Sequence, residues 1–332
     1  MRRRTILAGM IAVLALGGPA AAELSLPAGF TMQVYVTGQG FDPTSARGAR
    51  GIPSVATLAF DSAGTLYLAR TGRRYSGNTA EVDDRWPIFR IPLGGARLTP
   101  GTERSFFYGP PLPNGQVGAV RGTQEAFVTT FDRERRIGVL YRLRDGRAEL
   151  FAGGTPERGV PPLLKQPEGA VVDSAGNFYV ADRDRGAVVR LGPTGALLDA
   201  RLVSVPRPRV LAIDERDRLW IGSDGTAEAP WQRGPGEIWT LTPGGTPQRL
   251  LKGPVPGGIS VSPSGQLFVA DRQGAQIFAL SPDGKRVEFA RFTDGDAPRA
   301  LLFAPATPDT QRAGVAGSLF VVAITGGAFP VN

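Results

Sequence analysis

The sequence predicts an all-β fold, a six-bladed β-propeller of four-stranded antiparallel blades, and three observations carry that expectation. A strand–turn–strand unit recurs six times along the chain. The recurrence is spaced at 41 to 60 residues, the length of four short strands and their turns. Glycine and proline are abundant, 45 and 29 of 332 residues, which suits short strands joined by tight turns better than long helices.

The unit is clearest in "PEGAVVDSAGNFYVADRDRGAVVRLGPTG" at residues 167–195, and "GGISVSPSGQLFVADRQGAQIFALSPDG" at 257–284 matches it nearly position for position. "ATLAFDSAGTLYLARTG" at 56–72 and "RVLAIDERDRLWIGSDG" at 209–225 match its first half, and weaker copies begin near Gln116 and Arg299. Each copy opens with an apolar strand and a polar turn. An alternating strand such as "NFYVA" follows, then a third such as "AVVRL" and often a fourth such as "AELFAG". The aromatic of the second strand recurs at Tyr67, Phe127, Tyr179, Trp220, Phe268 and Phe320. A lone sheet of this kind has two apolar faces and cannot cover both. Arranging six in a ring lets each face pack on a neighbour.

From the N-terminus, residues 1–22 stand apart. Arg2, Arg3 and Arg4 precede an apolar run from Ile6 to about Leu16, then Gly-Gly-Pro and Ala20-Ala21-Ala22. This pattern predicts a cleaved signal peptide, with "RRTIL" a weak fit to the twin-arginine type. The run is too short to span a bilayer of about 30 Å. A periplasmic or secreted location is therefore expected, with residues 23–332 forming one propeller domain. "GFTMQVYVTG" at 29–38 alternates like a strand and is expected to close the ring as the outer strand of the sixth blade. That blade otherwise looks incomplete, with residues 329–332 left for a stub of its third strand. Insertions at 39–52, 72–86, 109–119, 154–165, 225–236 and 305–316 read as face loops that could shape a mouth over the central channel.

Composition excludes much chemistry. Without histidine there is no Ser-His-Asp triad and no imidazole metal site; without cysteine there is no thiol catalysis, thiolate zinc or disulfide. The net charge is +8; loss of residues 1–22 would remove three Arg and no acid, leaving +5. The arginines are scattered, with "RERR" at 133–136 the one dense group, so solvated loop arginine is expected and nucleic acid is not. No membrane span and a monomer are expected.

The phrase P-x-G…V-D-x-x-G-N-x-Y-V-A-D at 167–182 resembles the NHL repeat. The looser pattern over 53–323 is similar to a wider group of six-bladed propellers. That group includes gluconolactonase-like enzymes, strictosidine-synthase-like proteins and sorbosone-dehydrogenase-like quinoproteins. "LPAGFTMQVYVTG" at 26–38 looks like the start of the last of these. The resemblance implies that functional residues lie where the innermost strands enter the channel. In this chain those positions are Ala56, Gln116, Glu168, Arg209, Gly257 and Arg299. In the gluconolactonase group, such positions supply an acid, an amide and a second acid to a divalent metal. Here the ring offers one acid, Glu168, which makes it the metal candidate with Ca²⁺ as the matching cation. The two arginines oppose a cation and could instead hold a carboxylate or phosphate bidentately, with Gln116 and Glu168 hydrogen-bonding. The quinoproteins use a histidine base that this chain lacks.

The expected function is thus a binding scaffold requiring no cofactor, its mouth holding a small anionic or sugar-like ligand or a protein partner. A metal-dependent lactonase and a degenerate sorbosone-dehydrogenase relative are the alternatives, and whether the chain is an enzyme stays open. "DRDRG" at 182–186 fails the calcium-loop pattern, because position 5 falls on Gly186 and position 12 on Pro193. Asp182 and its counterpart Asp271 are expected to accept backbone N–H bonds in turns. "EVDDRW" at 81–86 reads as a solvated acidic loop, and the glycine-rich segments lack the context of a phosphate loop.

Overall fold

The computed structural model describes residues 10–14, 24–38, 55–70, 74–76, 79–82, 85–98, 102–132, 135–226, 234–281, 283–293 and 297–324. Most of the signal segment, the 39–52 insertion, Asp83 and Asp84, half of "RERR" and the 329–332 stub lie outside them. The architecture is an all-β propeller. Five sheets each contain four consecutive antiparallel strands, beginning at the channel with Val55–Phe60, Gln116–Arg121, Pro167–Val172, Pro208–Ile213 and Pro256–Val261.

A sixth sheet starts the same way. Ala297–Phe303 pairs antiparallel with Leu319–Ile324, but the next two strands, Met10–Leu14 and Thr31–Val34, run parallel to it. The closing segment is therefore the outermost strand of this sheet, as expected, while Met10–Leu14 holds the third place expected for residues 329–332. Its neighbours extend the closure. Leu24–Ser25 adds antiparallel to the outer strand of the fifth blade, and Val36–Gly38 pairs in parallel with Ala96–Leu98. One N-terminal strap thus crosses three sheets. It is fastened by Tyr35, whose ring meets Phe320 edge-on at 4.8 Å and whose hydroxyl accepts from Gly94 N at 2.8 Å.

The turns follow from their residues. Asp173 Oδ1 accepts from Asn177 N at 2.8 Å, Asp173 Oδ2 accepts from the Tyr179 hydroxyl at 3.0 Å, and Gly176 supplies φ +83°. Burial raises Asp173, but the bonds from Asn177 and Tyr179 prevail and hold it below the usual carboxylate range. All six recurring aromatics are buried, and they mark the packing between sheets. Phe127 of the second blade sits 4.4 Å from Phe178 of the third, and both touch Phe151. Three expected loops differ. In the 72–86 insertion Arg74–Ser76 and Thr79–Val82 pair as a two-stranded sheet, and Arg85–Ile91 begins within it. Residues 109–119 fold largely into the strands Phe107–Pro113 and Gln116–Arg121, because Phe107, Tyr108 and Leu112 have a partner strand in Arg85–Ile91. Residues 305–316 contain a short helix, Pro308–Arg312, capped by Thr307.

Candidate functional site: the channel mouth

The six innermost strands touch in ring order, the last returning to the first. They surround a channel of about 340 Å³ whose walls are mid-strand Ala, Val, Leu and Ile together with glycine. Close approach depends on those glycines: a Cβ on Gly169 would stand 2.8 Å from Arg209 O of the next blade.

At one end of the channel the first turns of these strands deliver the residues expected from the repeat. Gln116, Glu168 and Arg209 are each less than a tenth exposed, and Arg299 is half-buried. They divide into two groups. Glu168 is held by amides: Oε2 accepts from Gln116 Nε2, and Oε1 accepts from Gln166 Nε2 at 2.9 Å. Both oxygens of Glu168, the candidate metal ligand, thus accept hydrogen bonds from glutamine amides. Among the described residues no three acidic side chains gather as a metal site would require.

The second group is cationic and larger than the sequence suggested. Asp224, fully buried, pairs with Arg209 Nη1 at 3.4 Å and Arg183 Nη2 at 3.3 Å. Arg272 and Arg299 belong to the same cluster, and Arg209 acts on both of them. Burial lowers Arg272 to about 10, with Arg209 adding to the effect and Asp224 opposing it. Burial also lowers Arg299 to about 9, helped by Arg272 and Arg209. Four guanidiniums therefore gather at one end of the channel, and Asp224 pairs with two of them, Arg183 and Arg209. Each desolvated positive charge raises the cost of the next, and an anion placed among them would relieve it.

Arg183, Asp224 and Arg272 were not anticipated, because they come from the ends of second strands rather than the starts of first ones. A signal existed in Gly257. A Cβ there would meet Arg272 Cγ at 2.7 Å, so the bare position in the fifth blade admits the Arg272 stem. Asp182 and Asp271 take the expected turn roles. Asp182 accepts from Lys165 N and Gln166 N, both at 2.9 Å, and Asp271 from Val255 N at 3.2 Å. No described helix is long and apolar enough to cross a membrane.

Residues 164–191 match the NHL repeat. No curated protein matches the chain. Among solved structures, selenomethionine-substituted virginiamycin B lyase from Staphylococcus aureus is similar at a TM-score of 0.50 and 14% identity, covering 85% of this chain and 78% of that one. A catalytically inactive histidine-to-alanine variant of virginiamycin B lyase from the same organism, with quinupristin, gives 0.51 and 14%, covering 85% and 80%. At such identity the likeness is one of fold: the chain is a β-propeller that carries an NHL repeat in its third blade.

Proposed function

We propose that this chain is an exported six-bladed propeller that binds a small anionic ligand at its channel mouth and needs no cofactor to do so. The observation that carries the reading is the gathering of Arg183, Arg209, Arg272 and Arg299 around Asp224, mostly out of water. Guanidinium forks match carboxylate and phosphate geometry, and a desolvated pair is stronger than a solvated one. The sixth sheet counts as the sixth blade, completed by the N-terminal strap. The basic start and short apolar run of residues 1–22 support export to the periplasm or beyond.

An enzymatic reading has less support. In the similar lyase a histidine-to-alanine change gives a catalytically inactive protein, and this chain has no histidine. A Ca²⁺-dependent lactonase would need acids to converge, whereas arginines do. Thermal melting with sugar acids, lactones and Ca²⁺ tests the choice. A sugar carboxylate is expected to raise Tm and Ca²⁺ to leave it unchanged. A chelator-reversible Ca²⁺ shift with lactone hydrolysis would replace binding by catalysis.

A further inference from the structure

Beside the mouth, on the same end of the third blade, lies a second and larger cleft of about 620 Å³. Its cations are Arg135, Arg136, Lys165, Arg183, Arg185 and Arg207, with Asp184 as the one acid among its walls. They arrive from four separate segments: the turn after Asp132, the loop before Pro167, the turn after Asp182 and the turn before Pro208. Arg185 is structural, since Nη2 donates to Leu163 O at 2.7 Å and Pro162 O at 2.9 Å. The others are differently disposed. The Arg135 and Arg136 side chains are 72% and 74% exposed. Arg136 commits one nitrogen to Asp184 at 2.9 Å, and Arg207 one to Thr226 O at 2.9 Å, out of five N–H donors on each guanidinium.

The backbone adds an independent observation. Arg136 and Arg207 both adopt positive φ, 53° and 43°, a region costly for a long side chain. Arg207 also precedes Pro208, which narrows its choices further. Nothing in the propeller requires arginine at either corner, and glycine would fit better. Strained residues of this kind collect where a side chain is needed for a ligand.

We infer that this cleft is a separate binding site for an oligophosphate-type anion, a ligand carrying two or more linked phosphoryl groups. One carboxylate would offset a single charge in a cleft lined six to one by cations. Linked phosphoryl groups bring several charges and tetrahedrally arranged acceptors, which guanidiniums can reach from different sides. The cleft joins the mouth through Arg183, which lines the first and pairs with Asp224 in the second. A phosphoryl group on Arg183 therefore weakens that pair and alters the charge at the mouth.

Calorimetric titration of the full chain with tripolyphosphate, orthophosphate and citrate at equal ionic strength tests this. Tripolyphosphate is expected to bind at least tenfold more tightly than the other two. The double variant Arg136→Gly/Arg207→Gly relieves the backbone while removing two charges. It is expected to melt no lower than the parent and to bind tripolyphosphate at least tenfold more weakly. Arg249→Gln, whose guanidinium pairs with Glu237 on the outer strands of the fourth blade, is expected to leave that binding within threefold. Equal affinity for tripolyphosphate and orthophosphate would overturn the inference, as would parental affinity in the double variant. Binding lost in Arg209→Gln but kept in the double variant would place the anion at the mouth and remove the cleft.

Discussion

Arg299 holds its charge against burial and against Arg272 and Arg209, and its guanidinium is lowered to about 9. Above that value the unfolded chain still binds a proton that the folded one has released, so this residue's contribution to stability rises with pH until the unfolded guanidinium is neutral as well. Arg299→Met removes a buried charge while keeping the apolar stem. It is expected to abolish anion binding without lowering the denaturant midpoint of the ligand-free protein. A destabilised variant would mean that Arg299 is structural. Asp173 runs the other way. Its folded value lies below that of an ordinary aspartate, so its contribution is complete above the unfolded value and is lost as pH falls through the folded one. Asp173→Asn is therefore expected to flatten the acid limb of the stability curve below pH 4. At this scale half of the mouth was legible. Gln116, Glu168, Arg209 and Arg299 share one register position of the repeat. Arg183, Asp224 and Arg272 reach in from the neighbouring strand, which a register taken one strand at a time does not connect.

The blades behave as units joined through a few tight contacts. Phe178 lies fully buried between the second and third blades with Phe127 and Phe151 around it. Phe178→Ala is expected to cost about 3–5 kcal/mol in denaturant unfolding, more than any mouth substitution. Gly169→Ala is expected to destabilise as well, since its Cβ would press on Arg209 O and separate the third and fourth blades at the channel. The strand pattern was readable because turn residues such as Asp173 and Gly176 and a buried aromatic recur in each copy. The sixth sheet was read less well. Repeat matching cannot foresee that Met10–Leu14 enters between Leu319–Ile324 and Thr31–Val34. Under the export reading that strand departs on cleavage, and Thr31–Val34 moves inward by about one strand spacing of 4.8 Å. A chain starting at Glu23 is then expected to keep slow amide exchange at Leu319–Val322. Fast exchange there would make the leader a permanent part of the fold.

Across the whole molecule, closure, charge and missing residue types act together. The strap from Leu24 to Gly38 joins the fifth and sixth sheets and pairs with Ala96–Leu98, the segment that follows the third strand of the first blade, so the ring does not depend on its last strands alone. Without disulfides the packed faces between sheets hold the shape, and without histidine the described mouth draws its polar groups from arginine, glutamine, Glu168 and Asp224. Fold was legible because it is written six times; the ligand was not, because the copies place Ala56, Gln116, Glu168, Arg209, Gly257 and Arg299 at the mouth with no shared chemistry. The central claim is that this mouth holds an anion, and titration of the full chain with a sugar carboxylate such as gluconate tests it most directly. Loss of one charge-assisted hydrogen bond costs about 1.5–3 kcal/mol, roughly 10- to 150-fold in affinity. The expected result is saturable binding that weakens by that factor in Arg209→Gln and is indifferent to Ca²⁺. Binding unchanged in Arg209→Gln, or present only with Ca²⁺, would contradict it.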